Sequence, residues 1–165
     1  MLVLGIDPGT AICGYGLVKM VGNRLIPLQY GSILTDKDTL QELRLKKIYD
    51  YLTFIIEYFH PDLMSVEKLF FNRNVTTAIP VGQARGVIVL AAANMGIPVM
   101  EFTPKEIKSA VVGTGGATKQ QVIYMVMHLL NIREKIEPDD TADALAAAIC
   151  GLHTAGSYMS RGRLR

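Results

Sequence analysis

The chain has 165 residues, half of them hydrophobic and 19% charged, with 17 Lys and Arg against 15 Asp and Glu for a net charge of +2. That length and composition describe one folded domain with its own core, and exclude a disordered chain or one dependent on disulfide or metal staples. The longest apolar runs fall far short of the ~20 residues that span a bilayer, so no membrane role is predicted.

The opening residues are those of a strand and not of a signal peptide, and Cys13 and Cys150 lack metal-ligand spacing. Two reduced thiols in a cytoplasmic protein is the reading they support. Charge is unevenly spread. Residues 1–67 hold 6 Lys/Arg and 8 Asp/Glu (−2), residues 68–133 hold 7 and 2 (+5), and residues 134–165 hold 4 and 5 (−1). A basic centre between acidic ends suits a polyanion lying over a carboxylate site.

Met1–Ile6 is an apolar run that meets one carboxylate, Asp7, followed at once by Pro8-Gly9. This predicts a buried strand with Asp7 at its tip. Gly14–Met20 and Arg24–Leu34 read as two further strands with a hairpin at Val21-Gly22-Asn23, giving an antiparallel meander. Over roughly 38–59 the apolar spacing becomes helical, with Asp38 the candidate N-cap and His60-Pro61 the stop. Leu63–Glu67 is a short strand that again ends on an acid. Residues 75–94 form an apolar helix that Pro80 kinks or breaks. Ile97–Phe102 is a strand, and Thr103-Pro104 caps and opens a short helix. After the loop Gly113–Gly116, a helix opening at Ala117 or Thr118 runs to about Leu130. The last helix starts at Pro138 and ends near Thr154, leaving 156–165 as a loose basic tail on a single domain, 1–155. The order is that of an α/β sheet, part antiparallel and part parallel.

Asp7 and Glu67 end strands joined across a helix. A right-handed crossover makes such strands parallel, with both tips on the edge where open α/β sheets bind ligands. The last helix adds Asp140 and Asp143, about 60° apart on one face at ~100° per residue. Ala144 and Ala147 share that face and allow a close approach to the sheet, while Leu145, Ile149 and Leu152 supply packing. Asp139 points elsewhere and serves the helix N-terminus. Carboxylates converging in a cleft repel one another unless a cation neutralises them, and all-oxygen ligands favour Mg²⁺ or Mn²⁺ over zinc. Two such ions suit phosphodiester hydrolysis.

Other motifs fall away. Gly113-Thr-Gly-Gly-Ala-Thr-Lys119 lacks the Lys-Ser/Thr order of a phosphate loop. His60, His128 and His153 have no ligand spacing, and no Ser-His-Asp or Cys-His arrangement can be argued.

Gly5-Ile-Asp-Pro-Gly-Thr10, Gly14-Tyr-Gly16, Val66-Glu67, Gly82-Gln-Ala-Arg-Gly86, Val111-Val-Gly113, Lys119 and Asp140-Thr-Ala-Asp-Ala-Leu-Ala146 closely resemble the RuvC family, collinearly over roughly 1–155. That family comprises bacterial Holliday junction resolvases with a ribonuclease H-like fold. The resemblance implies a mixed five-stranded sheet and a Mg²⁺-dependent endodeoxyribonuclease acting in recombination and repair, with two ions per site and Mn²⁺ able to substitute. It implies Asp7, Glu67, Asp140 and Asp143 as metal-binding catalytic acids, and Lys119 beside the scissile phosphate. Lys108 matches another DNA-contacting position, and Phe70 an aromatic that stacks on unpaired bases, with Asn72, Arg73 and Asn74 extending that loop towards the DNA. For Arg85 two roles stay open, holding the Gly82–Gly86 turn or touching phosphate. The family further implies a homodimer that nicks two opposed strands of four-way junction DNA, working with a branch-migration helicase and a junction-binding tetramer. An actin-like ATPase lobe shares the opening motif, but 165 residues leave no room for its second lobe. A non-catalytic junction binder has no use for four mutually repelling acids beside a polyanion.

Overall fold

The computed structural model, which describes residues 1–68 and 75–159, places β1 (Leu2–Asp7) at the centre of a five-stranded sheet. β2 (Ile12–Val21) pairs antiparallel with β1, from Leu2 opposite Lys19 to Asp7 opposite Gly14, and β3 (Arg24–Leu34) pairs antiparallel with β2. Gly22, at φ 58°, supplies the left-handed residue in the turn between them. β4 (Leu63–Glu67) lies parallel on the other side of β1, and β5 (Val99–Phe102) parallel beyond it, so the order is β3-β2-β1-β4-β5.

Two cores sandwich this sheet. Leu4, Ile6, Leu17, Met64 and Val66 pack against α1 (Gln41–Phe59) and α2 (Val75–Asn94) through Ile48, Leu52, Ile55, Ile88 and Ala91. Val3, Val18 and Leu63 face the opposite way, towards α3 (Pro104–Val112), α4 (Lys119–Leu130) and α5 (Asp139–Met159). The period of two in β1 thus divides its side chains between two layers.

Several boundaries differ from the sequence reading. α1 begins at Gln41 with Leu40 at the N-cap and no side-chain cap, because Asp38 is drawn into a turn in which its backbone N–H donates to Asp36 Oδ1 at 2.9 Å. Its stop is as expected, with His60 left-handed at φ 49°. Pro80 neither ends nor splits α2, which runs continuously from Val75 to Asn94. A proline this near the start removes a single helical hydrogen bond, and the buried Ala84, Ile88, Ala91 and Ala92 hold the remainder in place. α5 begins one residue after Pro138 and continues to Met159, past Thr154 and through Gly156, because a glycine without a following proline is a weak stop. Thr103 and Thr118 both close capping boxes, with Glu106 and Gln121 respectively.

Candidate active site

Asp7 is the last residue of β1 and Glu67 the last of β4, and the parallel pairing that sets Ile6 beside Val66 brings the two tips together. The other two acids reach the same edge because α5 lies directly on the sheet backbone. A Cβ on Gly5 would stand 2.0 Å from the carbonyl oxygen of Ala144, and one on Gly14 would stand 2.0 Å from that of Asp140. Only glycine permits this approach. Two polar contacts fix it: Ser65 Oγ donates to the Ala147 carbonyl at 2.6 Å, and the Ser32 and Thr141 hydroxyls meet at 2.8 Å. Asp140 and Asp143 are carried on the first turns of this seated helix.

The electrostatics reflect the crowding. Burial, then the charges of Glu67, Asp143 and Asp140, push the Asp7 carboxyl up to about 8, against a smaller opposing pull from Lys119. Glu67 is pushed up to about 7 by burial and by Asp143, with Lys108 and Lys119 acting in the other direction. Burial also raises Asp143, although Lys119 beside it opposes the shift. Partial burial disfavours the Lys119 ammonium, but Asp143 and Asp139 outweigh that and raise its pKa. Its Nζ lies 3.2 Å from Asp139 Oδ2 and 3.3 Å from Asp143 Oδ2. Among the described residues, no three or more His, Cys, Asp or Glu side chains are drawn together as a ready metal cage. The acids stand near enough to perturb one another, with a lysine as their nearest counter-charge.

A cleft of about 200 Å³ opens beside them, lined by Glu67, Lys108, Lys119 and Asp143 over an apolar floor of Pro104, Ile107 and Val122. Of the residues singled out in the sequence, Glu67, Asp143, Lys108 and Lys119 line this cleft, and Asp7 and Asp140 lie near enough for their charges to act on one another. Phe70, Asn72, Arg73 and Asn74 lie outside the described residues. Arg85 has a structural contact, made to the sheet. Its Nε and Nη2 donate to Glu101 Oε1 at 2.9 and 2.5 Å, tying α2 to β5. Asp139 is a correction: it faces Lys119 instead of serving only the helix terminus. The signal was present, since Asp139 and Asp143 are four residues apart and so share a helix face.

A family model described as crossover junction endodeoxyribonuclease RuvC matches residues 3–151. The chain belongs to the RuvC family. RuvC of Heliobacterium modesticaldum is 57% identical over 154 residues, covering 93% of this chain and 95% of that one. RuvC of Desulforamulus reducens is 52% identical over 165 residues, the whole of both chains. The solved structure of Thermus thermophilus RuvC in complex with Holliday junction substrate matches with a TM-score of 0.86 and 30% identity, covering 99% of this chain and 98% of that one. The mixed sheet with helices on both faces is thus the ribonuclease H-like architecture of RuvC. As a RuvC family member the chain is a crossover junction endodeoxyribonuclease.

Proposed function

We propose that this chain resolves Holliday junctions by paired nicks in opposed strands, with Asp7, Glu67, Asp140 and Asp143 as the ligands of two Mg²⁺ ions. The observation that carries the site assignment is Asp7, half-buried at the tip of the central strand and made hard to ionise by that burial and by three further acids. Buried carboxylates are costly unless paired, and a set of oxygen donors without His or Cys suits a hard divalent cation. When bound, such ions supply an activated water and stabilise the leaving oxygen, and Mn²⁺ is able to substitute. The protein's own part is placement. Two strand ends and one seated helix fix the carboxylates, while Lys108 and Lys119 put positive charge in the cleft where a phosphate must lie.

A homodimer fits the two-fold substrate. The outer face of α2 supports one: Ile79 and Leu90 are 69% and 52% exposed, Gln83 lies between them, and no atom of the described residues lies within 4 Å of where a Cβ on Gly86 would be. An uncharged helix face with a glycine at its middle suits close packing against its own copy. We further propose that the chain works with a branch-migration helicase and a junction-binding tetramer, a reading its RuvC membership supports. The buried free thiols of Cys13 and Cys150 support a reducing, cytoplasmic setting.

The test is to offer the protein a four-way junction, a plain duplex and an RNA–DNA hybrid in Mg²⁺, beside Asp7→Asn. We expect symmetric nicks in the junction alone, and for the variant normal junction binding with cutting reduced about a thousandfold or more. Cutting by Asp7→Asn at near the parent rate would remove Asp7 from the metal site.

A further inference from the structure

The residue that the cleft leaves over is Asp139. It begins α5, its side chain is 55% exposed, and its Oδ2 lies 3.2 Å from Lys119 Nζ, which is 3.3 Å from Asp143 Oδ2. Lys119 is itself the first residue of α4, behind the Thr118 capping box, so its backbone is fixed while its long side chain is not. The ammonium therefore spans two acids of different kinds. Asp143 is half-buried and its charge acts on both Asp7 and Glu67, whereas Asp139 stands on the solvent side.

We propose that Asp139 is a positioning residue for Lys119, holding its ammonium at the rim of the carboxylate cluster when Asp143 is given over to a cation. This rests on the proposed metal site. A divalent ion drawn to the cluster competes with Lys119 for Asp143 and repels it. Asp139 is the second carboxylate already in contact, so it retains the ammonium at the cleft as Asp143 changes partner. Without it, Lys119 has two poor alternatives. In the metal-free protein it pairs with Asp143 alone and obstructs the cation. Once Asp143 is engaged elsewhere, no other carboxylate among the described residues is in salt-bridge contact with this side chain of four rotatable bonds.

The experiment is a double-mutant cycle on the full chain with Asp139→Asn and Lys119→Ala, adding Asp139→Glu as the conservative variant. The readouts are junction cleavage at saturating Mg²⁺ and Mg²⁺ affinity by titration calorimetry without DNA. Asp139→Asn is expected to weaken Mg²⁺ binding and slow cleavage by about three- to fivefold each, the size of an exposed ion pair. Asp139→Glu should restore most of both. In the Lys119→Ala background, Asp139→Asn should change neither. Equal effects with and without Lys119, or no effect in the parent, would overturn the assignment. Loss of cutting by Asp7→Asn with no coupling in the cycle would sink this inference alone and leave the metal site standing.

Discussion

Burial and three neighbouring carboxylates raise the Asp7 pKa to about 8, so in the metal-free protein this side chain holds its proton at neutral pH. The unfolded chain releases the same proton near 4. Between these values the folded state binds the extra proton, so raising the pH favours unfolding. The stability associated with the protonated carboxyl is complete below about 4 and lost as pH climbs to about 8, with Glu67 adding to the same trend up to about 7. In chelator, the melting temperature should therefore fall from pH 5 to pH 8. Asp7→Asn should flatten that slope and melt ~5 °C above the parent at pH 8. Thermal scans at four pH values decide it, and an unchanged slope would mean that the acids do not strain the free protein. At this scale the sequence was informative where chemistry is scarce. A lone carboxylate at a strand tip asks for a partner, and Glu67, Asp140 and Asp143 were the available ones. It was silent on Lys119 choosing Asp139, because an ion pair between two helix starts depends on how those helices are set.

The element that makes the site is α5, and its seat is cut into β1 and β2 by glycine. Ala144 and Ala147 were read correctly as small residues allowing close approach, yet the closest contacts belong to Gly5 and Gly14 on the sheet side. A helical wheel shows one surface only, and the complementary surface is found when the register is known. The obstructing atoms are backbone carbonyl oxygens, which have no rotamer to give. Gly5→Ala should therefore lift α5 and destabilise the fold by about 3 kcal/mol, roughly 10 °C in melting temperature. Cleavage by the fraction that remains folded should fall further still, since Asp140 and Asp143 rise with the helix. Denaturant melts alongside single-turnover cutting test this, and a variant that melts and cuts like the parent would show that the seat is slack. The misread boundaries share a different cause. Asp38 fitted a cap by type but was engaged in its own turn, and Pro80 fitted a break but lay in a helix held by its core face.

On the scale of the whole molecule, the antiparallel meander and the parallel link between the Asp7 and Glu67 strands followed from the apolar periods and the crossover rule, whereas the full strand order, the two layers and the oligomeric surface did not. Exposed Ile79 and Leu90 look like ordinary core positions until the fold leaves them outside. Gly86 offers a clean probe, because a Cβ there meets nothing among the described residues. Gly86→Glu should leave the melting temperature of the chain within ~2 °C, replacing a helical glycine with a better helix former. It should also convert the proposed dimer to monomer in sedimentation and abolish paired nicking. A variant that sediments and nicks as the parent does would move the dimer contact away from α2.

The contrast within the cleft has a consequence for timing. Its anions are anchored to a central strand and to a helix seated without clearance, whereas its cations ride on flexible side chains at the cleft wall. The protein cannot adjust its acids to suit a badly presented strand. Selection must therefore fall on how long a phosphate stays in register with a fixed target. A junction that leaves quickly should then pass uncut, and one that dwells should be cleaved.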